Sequence, residues 1–499
     1  MSGTTIHWTA LAVFVFFFAL VTVLGFVASR WQRGAAAPAQ HLDEWGLGGR
    51  RFGGWITWFL VGGDFYTAYT VIAVPALVYA VGAYGFFALP YTIVVYPIVF
   101  AIMPRLWQAA RDAGHVTAAD VVYGHYGSRT LELAVALTGV IATMPYIALQ
   151  LVGMQVVIQA LGLQGELPLA LAFVILALYT YSAGLRAPAL IAFVKDLMIY
   201  IVVLAAVVLV PAKLGGYAAV FQAADSAFAT KGGSTGLLLQ PAQMLPYATL
   251  ALGSALAAFM YPHTLTGIFA AKSANTIRKN AVFLPAYTLL LGLIALLGYM
   301  AYAAHLSIKT PNDVVPALFA TLFPEWFSGF AFAAIAIGAL VPAAVMSIGA
   351  ANLFTRNFWK AYVNPDITPE GQAKVAKLAS LVVKLGALVF ILFVPTQFAL
   401  YLQLLGGVWI MQTFPAVVCG LYFKGLRAPA LLTGWALGML AGTALAFGDG
   451  IKPVHSFVLG GHSFAIYTGL FALLLNFVAV LAVQAALSMK HHAMPHAHT

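Results

Sequence analysis

The residues able to do chemistry in this chain are polar groups set inside apolar runs. Across residues 53–80 the sequence includes Val61-Gly62-Gly63-Asp64-Phe65-Tyr66-Thr67-Ala68-Tyr69. An ionised carboxylate at membrane depth costs about 2.5–3.5 kcal/mol on insertion scales, so it requires a water-filled cavity, a partner or a proton. Paired glycines free the backbone to unwind. The carbonyls and amides released there can hold a cation at one half-helix end and an anion at the other. The plainer reading is that Gly62 and Gly63 allow close helix packing, with Asp64 facing water at a helix end.

A second run, 243–263, ends Phe259-Met260-Tyr261-Pro262-His263-Thr264. Proline removes a backbone donor and clashes with the preceding turn, so it kinks or ends the helix. His263 beside it titrates near neutral pH and is able to carry a proton; a helix-end histidine bonded to a carbonyl is the alternative. The run 328–354 contains Gly338, Pro342 and Ser347, and the proline is expected to break its interior. Ser347 either repairs the ladder or contacts an ion. The run 397–423 holds Gln403, Gly406, Gly407, Gln412 and Pro415. They make either a polar face toward a cavity or interhelical hydrogen bonds worth below about 1 kcal/mol each. Gln150 and Gln155 carry the same two readings.

Lys195-Asp196 is read as a snorkelling lysine with a local ion pair, a substrate role being the alternative; Lys384 is similar. His491, His492, His496 and His498 resemble a metal-binding tract, but their spacing matches no closed zinc geometry, so no metal and no other cofactor is expected. No phosphate-binding loop of the Gly-x4-Gly-Lys-Ser/Thr type is present. Neither is a Ser/His/Asp arrangement or a metalloprotease helix, so no enzyme is expected. The energy source is then an ion gradient or nothing.

The elements that position these groups follow from composition. Of 499 residues, 63% are hydrophobic and 8% charged, with a mean hydropathy of +0.95. Soluble domains carry roughly 25% charged residues. The chain is therefore neither a soluble enzyme nor disordered. Its net charge of +10 leaves too few charges to line a duplex, so no nucleic acid is expected. The single cysteine, Cys419, permits no internal disulfide. The N-terminus lacks the positive stretch of a secretory signal, although Ala35–Ala37 could imitate a cleavage site.

Thirteen apolar spans can be marked: 7–29, 53–80, 84–104, 130–161, 167–185, 188–211, 243–263, 281–305, 328–354, 375–395, 397–423, 429–447 and 462–489. Continuous rather than alternating runs exclude a strand barrel. The expected class is all-α integral membrane, with residues 1–499 as one polytopic domain. Cytoplasmic loops hold the excess of Lys and Arg. One set of alternate loops holds 18 of them and the other 4, with Lys195 and Lys384 inside spans. This predicts a periplasmic N-terminus and a cytoplasmic C-terminus. The net positive charge is that inward bias plus attraction to anionic membrane lipid. No obligatory protein partner is evident.

Several short stretches together resemble the sodium:solute symporter family, most closely its bacterial monocarboxylate permease branch. They are Leu47-Gly48-Gly49-Arg50-Arg51, Gly63-Asp64, Tyr179-Thr180-Tyr181-Ser182-Ala183-Gly184-Leu185-Arg186-Ala187, Pro262-His263, Ala270-Ala271-Lys272-Ser273, Leu353-Phe354-Thr355-Arg356-Asn357 and Gly420-Leu421-Tyr422-Phe423-Lys424. Their order and spacing cover about residues 5–490.

The resemblance implies a LeuT-like core of five plus five helices in inverted repeat. Residues 53–211 would form the first repeat and 243–424 the second. Residues 1–52 would hold the first helix and a cytoplasmic loop, and 425–499 two accessory helices with the His-rich tail. It implies substrate bound midway across the membrane by Tyr66, Thr67, Tyr69, Tyr261, His263 and Gln403. It also implies an ion-coupling site at Gly62, Asp64, Phe65 and Gly338. In sodium-coupled relatives a Ser/Thr pair completes that site. Counted back from Leu353-Phe354-Thr355, the pair falls on Val341-Pro342, neither of which supplies a side-chain oxygen.

The expected function is cation-coupled import of small monocarboxylates such as lactate, pyruvate or acetate, and of propionate or alanine by extension. The expected setting is the bacterial inner membrane, with a proton preferred over sodium as the coupling ion. The alternatives are a sodium-coupled symporter of another small organic solute, a transporter-like sensor and a passive channel.

Overall fold

The computed structural model describes residues 5–30, 41–165, 167–233, 235–393 and 399–492. Arg33, the Ala35–Ala37 stretch, His496 and His498 lie outside the described residues, as do the side chains of Asp64, His491 and His492.

Helix α1 (Trp8–Val27) leads to the short α2 (Leu42–Leu47). A disrupted segment follows: α3 (Gly54–Thr57), a π turn over Trp58–Gly62, a 3-10 turn over Gly63–Phe65, a second π turn over Tyr69–Ala73, then α4 (Val74–Val81). After it come α5 (Ala88–Asp112), α6 (Ala118–Tyr126), α7 (Arg129–Ala160), α8 (Leu167–Ala183), α9 (Arg186–Lys213) and α10 (Tyr217–Lys231). Helices α11 (Pro241–Ala258) and α12 (Pro262–Ala270) form a second disrupted segment, bent by 49°. Next are α13 (Ala274–Ala295), α14 (Leu297–Ala303), α15 (Val314–Leu322), α16 (Glu325–Leu353) and α17 (Pro369–Phe393). The chain then forms α18 (Leu400–Ile410), α19 (Phe414–Val417), α20 (Ala428–Gly448), a hairpin β1 (Val454–Leu459) and β2 (His462–Tyr467), and α21 (Thr468–His492).

Among the described residues nine helices are long and apolar enough to cross a membrane, or ten if α11–α12 is one crossing. The protein is an integral membrane protein. Three of the thirteen expected spans are outside that set: 53–80, helical only in pieces; 167–185, which folds as a 17-residue helix; and 375–395, which folds within α17. The expectation of an all-α chain is corrected at the last span. Residues 462–467 pair antiparallel with 454–459, Val454 opposite Tyr467, and the helix begins only at Thr468. Gly460 and Gly461, at φ +58° and +80°, supply the left-handed pair that a two-residue hairpin turn demands. Pro342 overturns a second expectation, because α16 runs unbroken for 29 residues through it.

Burial sorts these helices. The apolar window of α16 is entirely enclosed by neighbours, whereas only 28% of that in α1 and 22% of that in α21 is covered. Leu289 and Leu440, each more than 70% exposed, belong to an apolar belt that only lipid can solvate. α16 is thus the central post, packed by α1, α7, α9, α12 and α17.

At one end, the polar connectors lock the helices. Glu44 of α2 is buried and pairs with Arg186 at the start of α9 and with Arg51 at 3.0 Å. Asn357 donates to Asp120 and Glu132, each at 2.8 Å, while Arg129 pairs with Glu132 at 2.8 Å. The Phe52 amide donates to the Ala270 carbonyl and the Lys272 amide to the Phe52 carbonyl, so the start of the first disrupted segment is tied to the end of the second.

Gly184, at φ +59°, turns the chain from α8 into α9 where an added methyl would strike the Trp45 carbonyl. The Gly184→Ala variant is expected to lose about 1–3 kcal/mol, from left-handed strain plus overpacking. A fall in the thermal unfolding midpoint of the detergent-purified protein checks this; an unchanged midpoint would refute it.

Candidate functional site

The site is built from the backbone groups that the two disrupted segments release. Tyr66, at φ −98° and ψ 81°, leaves the helical region, and regular hydrogen bonding stops between Gly63 and Thr67. Buried backbone groups need partners, and here side chains provide them. The Thr67 amide donates to Thr70 Oγ1 at 3.1 Å, and the Tyr69 amide to Thr67 Oγ1 at 3.0 Å. The Ala68 amide donates to Gln150 Oε1 of α7 at 3.1 Å. Thr67 therefore acts as the N-cap of the second half-segment, with Gln150 reaching in from another helix.

The carbonyl side is met by Lys195. Its Nζ donates to the Gly63 carbonyl and, at 3.1 Å, to the Tyr66 carbonyl. It also lies 2.9 Å from Asp196 Oδ1, and both side chains are fully buried. The Tyr287 hydroxyl of α13 donates to Asp196 Oδ2, and that of Tyr66 to the Tyr287 carbonyl. This corrects the snorkelling reading, since the ammonium reaches inward to the break. Lys384 is likewise buried rather than snorkelling, donating to Ser380 at 2.9 Å; Ser380 in turn donates to Ser347 at 3.1 Å.

The implied ion-site residues separate on inspection. A methyl added at Gly63 would sit 2.9 Å from Asp196 Oδ2 and 3.0 Å from Lys195 Nζ, so glycine there makes room for the pair. One at Gly62 would run into Leu284 of α13, the close-packing reading. Phe65 packs on Tyr91 and Tyr96. Gly338 of α16 faces the break, its added methyl 3.9 Å from the Tyr66 carbonyl.

The implied substrate residues gather on the other side of the break, except Tyr66. Its ring packs on Tyr200 and Tyr287, within the Lys195 group. Tyr261 precedes Pro262 in extended conformation and donates its hydroxyl to the Gln403 carbonyl at 2.9 Å. Tyr146 of α7 lies 5.2 Å from Tyr261 and 5.3 Å from His263, centroid to centroid. The Tyr69 hydroxyl comes within electrostatic reach of those of Tyr146, Tyr261 and Tyr467. Tyr69, Tyr261, His263 and Gln403 are all buried. Tyr69 Oη and Gln403 Oε1 make no hydrogen bond among the described residues, so the group holds polar capacity to spare. A cavity of about 20 Å³ lies beside Pro262, Thr266 and Asn352, and another of about 110 Å³ between Leu77, Tyr84, Leu404 and Lys452.

Sequence reasoning left three participants out of the site. Gln150 was legible only as a polar residue in an apolar span. Lys195 was legible as a charge in a span, but not where it pointed. Tyr467 donates to the Leu404 carbonyl at 2.7 Å and carries no signal of its own, because the run 462–489 is apolar enough for a lipid-crossing helix. Gln412 takes the ordinary reading, bonded across helices to Asn476.

The pattern is one of paired backbone breaks in a membrane bundle. The family model for the sodium:solute symporter family matches residues 45–442. A monocarboxylate transport permease protein of Rhizobium johnstonii is 72% identical over 98% of this chain and 99% of its own length. The uncharacterized symporter YodF of Bacillus subtilis is 33% identical over 95% of this chain and 92% of its own. Among solved structures, a Na+-coupled sialic acid symporter in a substrate-bound outward-open state matches at TM-score 0.78. It covers 96% of this chain and 98% of its own at 16% identity, which speaks for the shared fold.

The buried pair offers a stability test. Removing one member strands a charge, which typically costs about 3–5 kcal/mol, whereas an apolar pair of similar volume is near neutral. Asp196→Leu alone is expected to lower the unfolding midpoint sharply, and Lys195→Met with Asp196→Leu to restore most of it. Equal losses in the two proteins would show that the pair is not coupled.

Proposed function

The chain belongs to the sodium:solute symporter family, and from that premise we propose that it imports small monocarboxylates across a bacterial inner membrane by cation-coupled symport. The observation carrying this reading is the 72% identity, over nearly the whole of both chains, to a protein named as a monocarboxylate permease. Lactate, pyruvate and acetate are the substrates to test first, with propionate and alanine beyond them. The proposed topology has thirteen crossings, N-terminus out and C-terminus in, in keeping with the distribution of basic residues.

The substrate side is proposed to be Thr67, Tyr69, Tyr261, His263 and Gln403. Supporting it is their convergence around two buried polar atoms with bonding capacity to spare. A monocarboxylate is a small anion with a short apolar body. It suits a site of tyrosine hydroxyls and backbone amides better than a cluster of free cations would. The amide end at Thr67–Tyr69 carries the positive end of a half-helix dipole toward it. Gln150 stands at the Ala68 amide, so a carboxylate taking that amide displaces the Gln150 oxygen. Lys452, on the rim of the larger cavity, supplies an attractive charge along one approach.

A proton is the proposed coupling ion. It requires no set of oxygen ligands, and neither Val341 nor Pro342 supplies a side-chain oxygen. Asp64 and His263 are the proposed carriers. A proton moving with a carboxylate neutralises the cargo, so the cycle is nearly charge-free. Alternating access then rocks one bundle against the other around the two disrupted segments.

Proteoliposomes holding the purified protein decide the central claim. Labelled lactate, pyruvate or acetate is expected to accumulate under an imposed proton gradient. Accumulation that persists with every ion gradient collapsed would refute the proposal. Asp64→Asn is expected to abolish gradient-driven accumulation while substrate exchange survives; undiminished accumulation would remove Asp64 from the mechanism. Tyr69→Phe, which deletes a donor to a charged group worth about 1.5–3 kcal/mol, is expected to raise KM about tenfold or more, with kcat little changed. A KM that does not move would take Tyr69 out of the binding site.

A further inference from the structure

The break in the first disrupted segment already holds a cation, and that cation is part of the chain. The carbonyls of Gly63 and Tyr66 and the Asp196 carboxylate converge on one nitrogen, Lys195 Nζ. Two carbonyls and a carboxylate are the oxygen donors that hard cations such as sodium select. Here an ammonium takes them instead, with three N–H donors to match. Gly338 of α16 borders the same break, a methyl added there lying 3.9 Å from the Tyr66 carbonyl and 3.2 Å from Ile199 of α9, and Gly63 admits the pair only because it has no side chain. A sodium ion entering this pocket would meet Nζ at contact distance, a like charge in a medium that screens it poorly.

From this we infer that the Lys195 ammonium is the resident cation of the break, a tethered substitute for a dissolved one, and that this transporter works without sodium bound there. The inference deepens the proposed function at the same site and rests on its reading of the break as the cation position. It explains how a member of a family named for sodium can dispense with the Ser/Thr oxygens at Val341-Pro342. The cation arrives with its own carboxylate, so the Lys195–Asp196 pair adds no net charge to the core. Asp196 is itself held by Tyr287, which fixes the pair against α13 as well as α9.

The test needs no transported substrate. The unfolding midpoint of the purified full-length protein is measured in sodium chloride and in choline chloride at equal ionic strength. The unaltered protein is expected to show the same midpoint in both. Lys195→Ala vacates the pocket while keeping Asp196, and its midpoint is expected to rise saturably with sodium. Lys195→Ala with Asp196→Asn keeps the pocket neutral and guards against a misfolded single variant; its sodium response is expected to be weaker.

Transport gives the second reading. At fixed pH, uptake by the unaltered protein should be indifferent to sodium, whereas Lys195→Ala should gain a sodium-dependent rise of about tenfold, ordinary for coupled sites. Saturable stabilisation of the unaltered protein by sodium would overturn the inference. So would a folded Lys195→Ala protein that ignores sodium. Should the unaltered protein carry no monocarboxylate while the sodium pattern holds, the substrate proposal fails and this one stands.

Discussion

Backbone polar groups stripped of their helical partners inside a membrane protein have to be satisfied by something else, and the structure is organised around that demand. A helix interrupted at Gly63–Thr67 exposes carbonyls on one side and amides on the other. No water is available in hydrocarbon to receive them. Three helices answer. α9 sends Lys195 to the carbonyls, α7 sends Gln150 to the Ala68 amide, and α13 sends Tyr287 to steady Asp196. The first disrupted segment is therefore held by side chains of its neighbours as much as by its own ladder.

The second interruption is solved differently, and this divides the two sides of the site. Pro262 contributes no amide, so fewer orphan donors arise at the second bend. Tyr261 spans the gap instead by donating to the Gln403 carbonyl of α18. The first break thus presents charge and backbone dipoles, and the second presents hydroxyl and imidazole. At the arginine-rich end, the backbone bonds of Phe52 with Ala270 and Lys272 tie the start of the first segment to the end of the second. The ion pairs of Glu44, Asp120 and Glu132 brace the helices around them.

Much of this was readable in the sequence because membrane chemistry leaves a coarse signature. The break at Gly62-Gly63 and the bend at Pro262 both fall on residues that weaken a helical ladder. The scattered stretches Gly48–Arg51, Gly184–Ala187 and Arg356-Asn357 meet near one ionic layer: Arg51 and Arg186 share Glu44, and Arg356 and Asn357 share Asp120. Tertiary direction was not readable. Whether Lys195 snorkels or turns inward depends on α9's rotation against α3 and α13, and local sequence says nothing of that. Pro342 misled because a proline's missing donor can be absorbed inside a fully packed helix without interrupting it. The hairpin at 454–467 was hidden by residues apolar enough to pass for a span, although Gly460-Gly461 was a turn signal in plain view.

The glycines show how so much polarity fits at the centre of an apolar bundle. Gly63 faces the Lys195–Asp196 pair, Gly406 the Tyr261 hydroxyl and Gly407 the Tyr467 hydroxyl. At each, a methyl would collide with the polar group it now admits. These residues make room for long polar side chains from other helices to reach backbone groups, at the entropic cost glycine carries. Contacts made this way are replaceable one at a time, because each ends on a rotatable side chain rather than in a continuous ladder. The Ala68 amide, for one, is held by the side chain of Gln150 and not by a carbonyl of its own helix. That exchangeability separates a transporter's core from a merely stable bundle, and it follows from where the chain places side chains smaller than a methyl group.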